Sequence, residues 1–344
     1  MNTQHHLHDV IILGGGFAGL GAAIKLREAG IHDFLLLEKA DELGGVWREN
    51  TYPGCACDVP SALYSYSFAP NPAWSRVFAG QAEIKRYLQT TASVQGVLAH
   101  VRFQHEALKA AWSDADGCWI IQTNQGEFRA RFAIMACGPM HEPVLPQVQG
   151  LDNFAGEIFH SSRWRHDIDL RGKRVAVIGT GASAIQFVPE IQPVVGHLSV
   201  FQRTPHWVLP KMDQALPPLI QRLFKRLPLA QLAVRGAVFG IFETLNGGMQ
   251  SVAAMKQFQR LALAGGGQSH DQVELRQVIA PILHLVEAAR AVAAELDVQF
   301  LADSNGKAVN LHVILDACGL DIGALAIHPL HQPFGHGRAD RVMV

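Results

Sequence analysis

Two glycine-rich turns hold the residues best suited to chemistry. In the first, Gly14-x-Gly16-x-x-Gly19, bare backbone lies between the apolar run 10–13 (Val-Ile-Ile-Leu) and a helical periodicity over 17–29. Free amides at a helix N-terminus favour an anion, and glycine lets a pyrophosphate approach the main chain closely. Glu38, at the end of the next apolar run, is spaced to accept hydrogen bonds from ribose hydroxyls. The second turn, Gly179-x-Gly181-x-x-Ala184, repeats the arrangement, and Arg203 stands at the same offset from Gly179 as Glu38 does from Gly14. One geometric slot therefore carries opposite charges. A carboxylate there repels a ribose 2′-phosphate, whereas an arginine pairs with one through charge-assisted hydrogen bonds. The first turn suits FAD or NAD and the second NADPH, a combination that describes a flavin-dependent oxidoreductase. The plainer alternatives are a ligand-free structural turn at Gly14 and a solvated surface arginine at Arg203.

The elements that must hold these turns read as α/β. Strands at 10–13 and 34–38 flank a helix that ends at Gly30, a βαβ unit that forces a parallel pair. The pattern returns as a strand at 174–178, the turn at 179–181, a helix from 182 to 191 and a strand at 198–201. Between them lie polar strands at 119–123 and 127–131 and an apolar strand at 132–136, after which Pro143 and Pro146 mark a linker. The expected architecture is two Rossmann-like dinucleotide-binding domains, for FAD (1–150) and NADPH (151–305). A helical insertion is expected at about 211–264, and a strand returning to the FAD domain within 306–344.

Composition limits the remaining classes. A chain of 344 residues, 49% hydrophobic and 17% charged, is too apolar for disorder. A net charge of −1 leaves no basic footprint for nucleic acid or anionic lipid. Five cysteines favour a reducing compartment, and residues 1–9 lack the apolar core of a signal peptide, so a cytoplasmic location is expected. The stretch 227–245, interrupted by Arg235, reads as a buried or amphipathic helix rather than a membrane span, with membrane-surface contact as the minor alternative. Cys55-x-Cys57 has too few companion ligands for zinc, and no metal site is expected.

Further motifs connect the two turns. Gly44-Gly45-Val46-Trp47 and Asn50-Thr51-Tyr52-Pro53-Gly54-Cys55-Ala56-Cys57-Asp58, continuing through Val59 to Tyr64, resemble the flavin-contacting stretch of Baeyer–Villiger monooxygenases. Phe154-x-Gly156-x-x-x-His160-x-x-x-Trp164 is similar to that family's fingerprint, with Arg165 replacing its final Pro or Asp. Phe201-Gln202-Arg203-Thr204-Pro205 resembles the segment beside the NADPH phosphate. The resemblance implies that NADPH reduces FAD, that the reduced flavin takes up O2, and that one oxygen atom enters a ketone to give an ester or lactone. The protein supplies orientation, dryness and charge.

The same resemblance assigns flavin contacts to Gly14, Gly16, Phe17, Ala18, Gly19, Glu38, Lys39, Gly45, Val46, Trp47, Asp58, Val59 and Tyr64. It assigns NADPH contacts to Gly179, Gly181, Ala182, Ser183, Arg203 and Thr204. Asp58 matches the aspartate that holds a catalytic arginine, which steadies developing negative charge. A turn carboxylate is the plainer reading of Asp58, as a core tryptophan is of Trp47. His160 is either a relay of position between domains or a structural histidine. Trp164 favours this branch over N- or S-oxygenating flavin monooxygenases, which stand as alternatives together with an NADPH oxidase releasing hydrogen peroxide.

Beyond Leu263 the resemblance stops. Ala264-Gly265-Gly266-Gly267 leads into an amphipathic pattern over 285–295, where Arg290 lies near the expected place of the catalytic arginine but among unlike neighbours. Residues 313–319 resemble the strand returning to the FAD domain, with Cys318 in place of its usual threonine, as Cys137 is at the end of the first connecting strand. The expectation is a shortened or frame-disrupted family member. Its first sheet would have unpaired edges, its Asp58 would be uncompensated, and its pocket would be open to water. The corresponding non-enzyme reading is a cofactor-binding remnant.

Overall fold

The computed structural model describes residues 6–203, 211, 213–249, 256 and 341–344. At its centre are β1 (Leu7–Leu13) and β2 (Phe34–Leu37), paired in parallel and joined by α1 (Phe17–Glu28). Successive side chains of a strand point to opposite faces, and here both faces are apolar. Val10, Ile12, Phe34 and Leu36 enter one core cluster, while Ile11, Leu13, Leu35 and Leu37 enter another. A strand pair buried on both sides is what a parallel sheet requires. The first cluster also takes Leu20, Ala23 and Ile24 of α1, and Ile84 and Leu88 of a helix spanning Gln81–Val94.

The first sheet has six strands. β3 (Val101–Arg102), β2, β1 and β6 (Gly126–Met135) run parallel; β5 (Cys118–Thr123) and β4 (Ala107–Ser113) continue from β6 as an antiparallel meander. The two strands expected at 127–131 and 132–136 are one strand. β6 pairs with β5 on one edge and with β1 on the other, so backbone pairing carries it across the change from polar to apolar residues. β4 escaped the sequence reading because its outward face is polar or exposed, with Leu108 65% accessible.

The second sheet is parallel throughout, in the order β7 (Glu157–Ile158), β10 (Arg341–Met343), β8 (Arg174–Ile178) and β9 (His197–Phe201). The helix Ala182–Ile191 packs on it through Ala184, Phe187 and Ile191. The expected return strand at 313–319 lies outside the described residues. The described end of that segment joins the second sheet instead of the first. β10 fits between β7 and β8 and satisfies the backbone groups of both, with further bonds from Phe159 N–H to Met343 O and from Ile178 N–H to Val344 O.

Numbered in chain order, α2 is Val46–Glu49, α3 is Gln81–Val94 and α4 is Ala182–Ile191; the helical insertion is α5 (Pro218–Arg226) and α6 (Pro228–Met249). Among the described residues this insertion packs against the first unit rather than the second sheet that precedes it in sequence. Leu216, Val238 and Phe242 pack on the first core cluster, and Gln231 donates to Asn71 O at 2.7 Å. Arg235 is not a break in an apolar face. Its Nη1 donates to Ala62 O, Leu63 O and Ser65 O at 3.0–3.1 Å, and burial pushes its pKa down. Among the described residues no helix is long and apolar enough to cross a membrane.

Replacing Arg235 with Met keeps most of the volume but leaves three carbonyl groups without their donor. Chemical denaturation should register a loss of about 1–3 kcal/mol. An unchanged midpoint would mean that water serves those carbonyls equally well.

Candidate functional site

The three glycines of the first turn answer to different demands. Gly14 has φ +110°, and a Cβ there would lie 2.4 Å from Ala136 O; a Cβ on Gly19 would lie 1.8 Å from Gly14 O. Both are required by the close packing of α1 against the strand ends. Gly16 has φ −85° and ψ −162°, which any residue adopts, and a Cβ there would find nothing nearer than Gly45 Cα at 3.7 Å. The fold does not need glycine at 16; the open space before it is a cradle that a side chain would fill. Gly16 caps α1 without a side-chain hydrogen bond, and no acid stands in the helix's first turn. The amides of Phe17, Ala18 and Gly19 are therefore left for an anion.

Glu38 sits directly against this turn and is only 4% exposed. Its Oε2 accepts from Gly15 N–H at 2.7 Å, and its Oε1 accepts from Ala40 N–H and Arg48 Nη1, each at 2.9 Å. Gly44 and Gly45, with φ of +143° and +52°, bring α2 beside Gly16; Val46 and Trp47 begin that helix. Trp47 Nε1 donates to the Tyr64 hydroxyl at 2.9 Å, and Tyr64 packs edge-on against Phe17 at 4.9 Å. Phe17 and Val59 give their side chains to the core; Phe17 O accepts from the Tyr66 hydroxyl at 2.6 Å, and Val59 N–H donates to Cys57 Sγ at 3.4 Å. Lys39 pairs with Glu142 of the linker at 2.7 Å. A cleft of about 520 Å³ lies alongside, lined by Lys39, Arg48, Glu49, Thr51, Ser162, Arg163 and Trp164 among others.

The second turn is more open. Gly179 has φ +106°, and among the described residues nothing beyond their chain neighbours comes within 4 Å of a Cβ on it or on Gly181. Gly181 caps α4 without a side-chain bond. Ala182 is exposed and Ser183 half-buried beside it, while Ala184, standing where a third glycine would be, is buried in the second core. Arg203 lies exposed just past β9. Thr204, Arg290 and the 285–295 pattern lie outside the described residues.

Between the units, Gln186 of α4 acts as a clasp that the sequence reading missed. Its Nε2 donates to Ala56 O and Asp58 Oδ1 at 2.9 and 3.0 Å, and its Oε1 accepts from Tyr52 Oη and Ala56 N–H at 3.1 and 3.2 Å. Asp58 is not uncompensated, contrary to expectation. It is 43% exposed, and Lys211 Nζ donates to its Oδ1 at 3.0 Å while also reaching Cys57 O and the Phe78 ring. Gln186 could have been noticed as one helical turn beyond Ala182; nothing in the sequence marked Lys211. Burial pushes the Cys55 thiol up to about 11 and Cys57 to about 12, which disfavours the thiolate form of both.

In the linker, Trp164 lies between the rings of Phe159 and Phe187, at 5.3 and 5.2 Å, and so anchors the second core. His160 Nδ1 accepts from Ser162 N–H at 3.1 Å and caps the short turn Ser161–Arg163; burial, then Arg163, lowers its pKa and favours this neutral acceptor form. Phe154 and Gly156 are half-buried on the approach to β7. At the opposite end of β1 from Gly14, His6 and His8 gather around Asp33, an arrangement their mutual hydrogen bonds account for.

The family described as pyridine nucleotide-disulphide oxidoreductase matches residues 11–236. A Baeyer–Villiger monooxygenase of Streptomyces coelicolor is 51% identical over 243 residues, covering 70% of this chain and 47% of that protein. Another from Pseudomonas aeruginosa is 46% identical over 274 residues, covering 79% and 52%. The chain thus spans about half the length of the curated relatives it matches. Among solved structures, an oxidized steroid monooxygenase bound to NADP is 39% identical with a TM-score of 0.59, covering 64% of this chain and 43% of that one. The OTEMO complex with FAD and NADP is 34% identical with a TM-score of 0.60 over the same shares.

The glycines can be told apart by substitution. Gly19→Val should collapse the fold, because its Cβ would meet backbone rather than a movable side chain. Gly16→Val should fold with a melting temperature within about 3 °C of wild type yet lose at least about tenfold in dinucleotide affinity. Calorimetric melting alongside ligand titration checks both; tight binding by Gly16→Val would remove the first turn from the site.

Proposed function

The chain belongs to the pyridine nucleotide-disulphide oxidoreductase family, and from that premise we propose that it binds FAD and NADPH as a Baeyer–Villiger-type monooxygenase. The FAD-binding domain is 1–150, the NADPH-binding domain 151–305, and the substrates are a small-molecule ketone and O2. The observation that carries this reading is the contrast between two open helix N-termini. One, at Gly16, stands against a buried carboxylate; the other, at Gly181, is followed past its next strand by Arg203.

The donor set fits both cofactors. The α1 amides and Gly16 would hold the FAD pyrophosphate, and Glu38, fixed by Arg48, would take the ribose hydroxyls. The Trp47–Tyr64 pair would wall the flavin side. Gly179, Gly181 and the α4 amides would hold the second pyrophosphate, with Arg203 on the 2′-phosphate. When bound, FAD supplies the oxygen chemistry and NADPH the hydride. Asp58 holds the Lys211 ammonium at the junction of the two units, aided by Gln186. A cation fixed there stabilises negative charge that develops nearby. Among the described residues Lys211 is a cation paired with Asp58, while Arg290, the arginine suggested by the resemblance, lies outside them.

The direct test is the visible spectrum of the purified protein before and after anaerobic NADPH, followed by product analysis with O2 and a ketone. A flavin band that bleaches, with ester or lactone formed, is expected. Protein without flavin would overturn the reading. Bleaching followed only by hydrogen peroxide would make it an NADPH oxidase, and an oxidised amine or sulfide would make it an N- or S-oxygenase. Coenzyme choice gives a second prediction. Arg203→Glu should weaken NADPH relative to NADH by about 10- to 100-fold, the worth of one charge-assisted pair. An unchanged ratio in reduction kinetics would detach Arg203 from the phosphate.

A further inference from the structure

A file of four charged groups runs from the strand end carrying Glu38 to the linker. Arg48 Nη1 donates to Glu38 Oε1 at 2.9 Å, and its Nη2 donates to Glu49 Oε1 at 2.7 Å. Arg163, in the linker turn capped by His160, brings Nη1 to 3.7 Å from Glu49 Oε2. The first three are nearly out of water, with side-chain exposures of 6% for Glu38, 13% for Arg48 and 7% for Glu49; Arg163 is 43% exposed.

Two features of this file are unbalanced. Among the described residues Glu49 Oε2 is buried without a hydrogen-bond partner, which is costly for a carboxylate oxygen. Two buried carboxylates also share one guanidinium, and an excess buried charge seeks a counter-ion. Arg163 answers both. Its 3.7 Å approach is less than an ångström beyond hydrogen-bonding distance, and it is carried on a segment tied to the same strand end a second time, by Glu142 on Lys39.

We infer that Glu49 is a positioning residue that couples occupancy of the first dinucleotide site to docking of the linker, holding Arg48 against Glu38 and receiving Arg163 when the linker closes. The inference rests on the reading that the first turn binds FAD. A pyrophosphate at the turn adds negative charge beside Glu38, whose carboxylate is bonded to the Gly15 amide. That raises the demand for a second cation, which Arg163 meets. Binding and docking then favour each other, and the coupling is reciprocal.

The test uses the full chain stripped of flavin. FAD affinity is read from flavin fluorescence, and linker docking from the rate of tryptic cleavage after Arg165, with and without saturating FAD. In the wild type FAD should slow that cleavage. Glu49→Gln and Arg163→Met should each weaken FAD by about three- to tenfold, abolish the protection even when saturated, and be no worse together than singly. Protection that survives in Glu49→Gln at saturation, or two effects that multiply, would overturn the coupling while leaving the FAD site standing. Failure of the wild type to bind FAD would overturn both. Arg163 is exposed enough that its substitution does not threaten the fold, so it decides the matter if Glu49→Gln does not fold.

Discussion

The carboxylate of Glu38 is the point on which the first site depends. It is buried at the end of β2, where a bare negative charge would be intolerable. Two backbone amides and one guanidinium satisfy it, and each comes from a different part of the site: the glycine turn, the loop after β2, and α2. Its position therefore fixes where the turn, the Gly44–Gly45 crossing and the linker-facing cleft stand relative to one another. The steric demands at Gly14 and Gly19 act in the same sense, clamping α1 onto the strand ends and leaving Gly16 as the opening.

The two units meet through specific polar contacts and one shared ring. Gln186 uses both ends of its amide on the 52–58 segment, and Lys211 reaches Asp58 from beyond β9. Tyr52 belongs in sequence to the first unit but packs in the core of the second, edge-on to Phe187. The motif between the flavin-side turn and Asp58 is thus also the docking surface for α4. A polar clasp of this kind gives orientation with modest strength, since exposed ion pairs are worth only ~0–1 kcal/mol.

The helical insertion shows how sequence order can mislead. α5 and α6 follow β9, yet they cover the first core, and Arg235 is the pin. From periodicity alone an arginine in an apolar stretch reads as an interruption. Here it donates hydrogen bonds to three carbonyls of the 62–65 turn. The tail strand makes the same point: β10 has little pattern to announce it and owes its place to the two edges it joins.

Both glycine turns, their flanking strands and helices, and the contrast between Glu38 and Arg203 were legible in the chain, because each depends on residues close in sequence. Strand alternation, helix capping and the φ values only glycine tolerates are local properties. The merging of two expected strands into β6, the side of the molecule that α6 covers, and the partners of Asp58, Glu49 and Arg235 were not legible. Lys211 for Asp58, Arg163 for Glu49 and the 62–65 carbonyls for Arg235 lie more than a hundred positions away, and no local preference records which distant group a fold will bring within reach. They are set by how the sheets and helices pack, since only packing decides which buried groups lose water and must find one another.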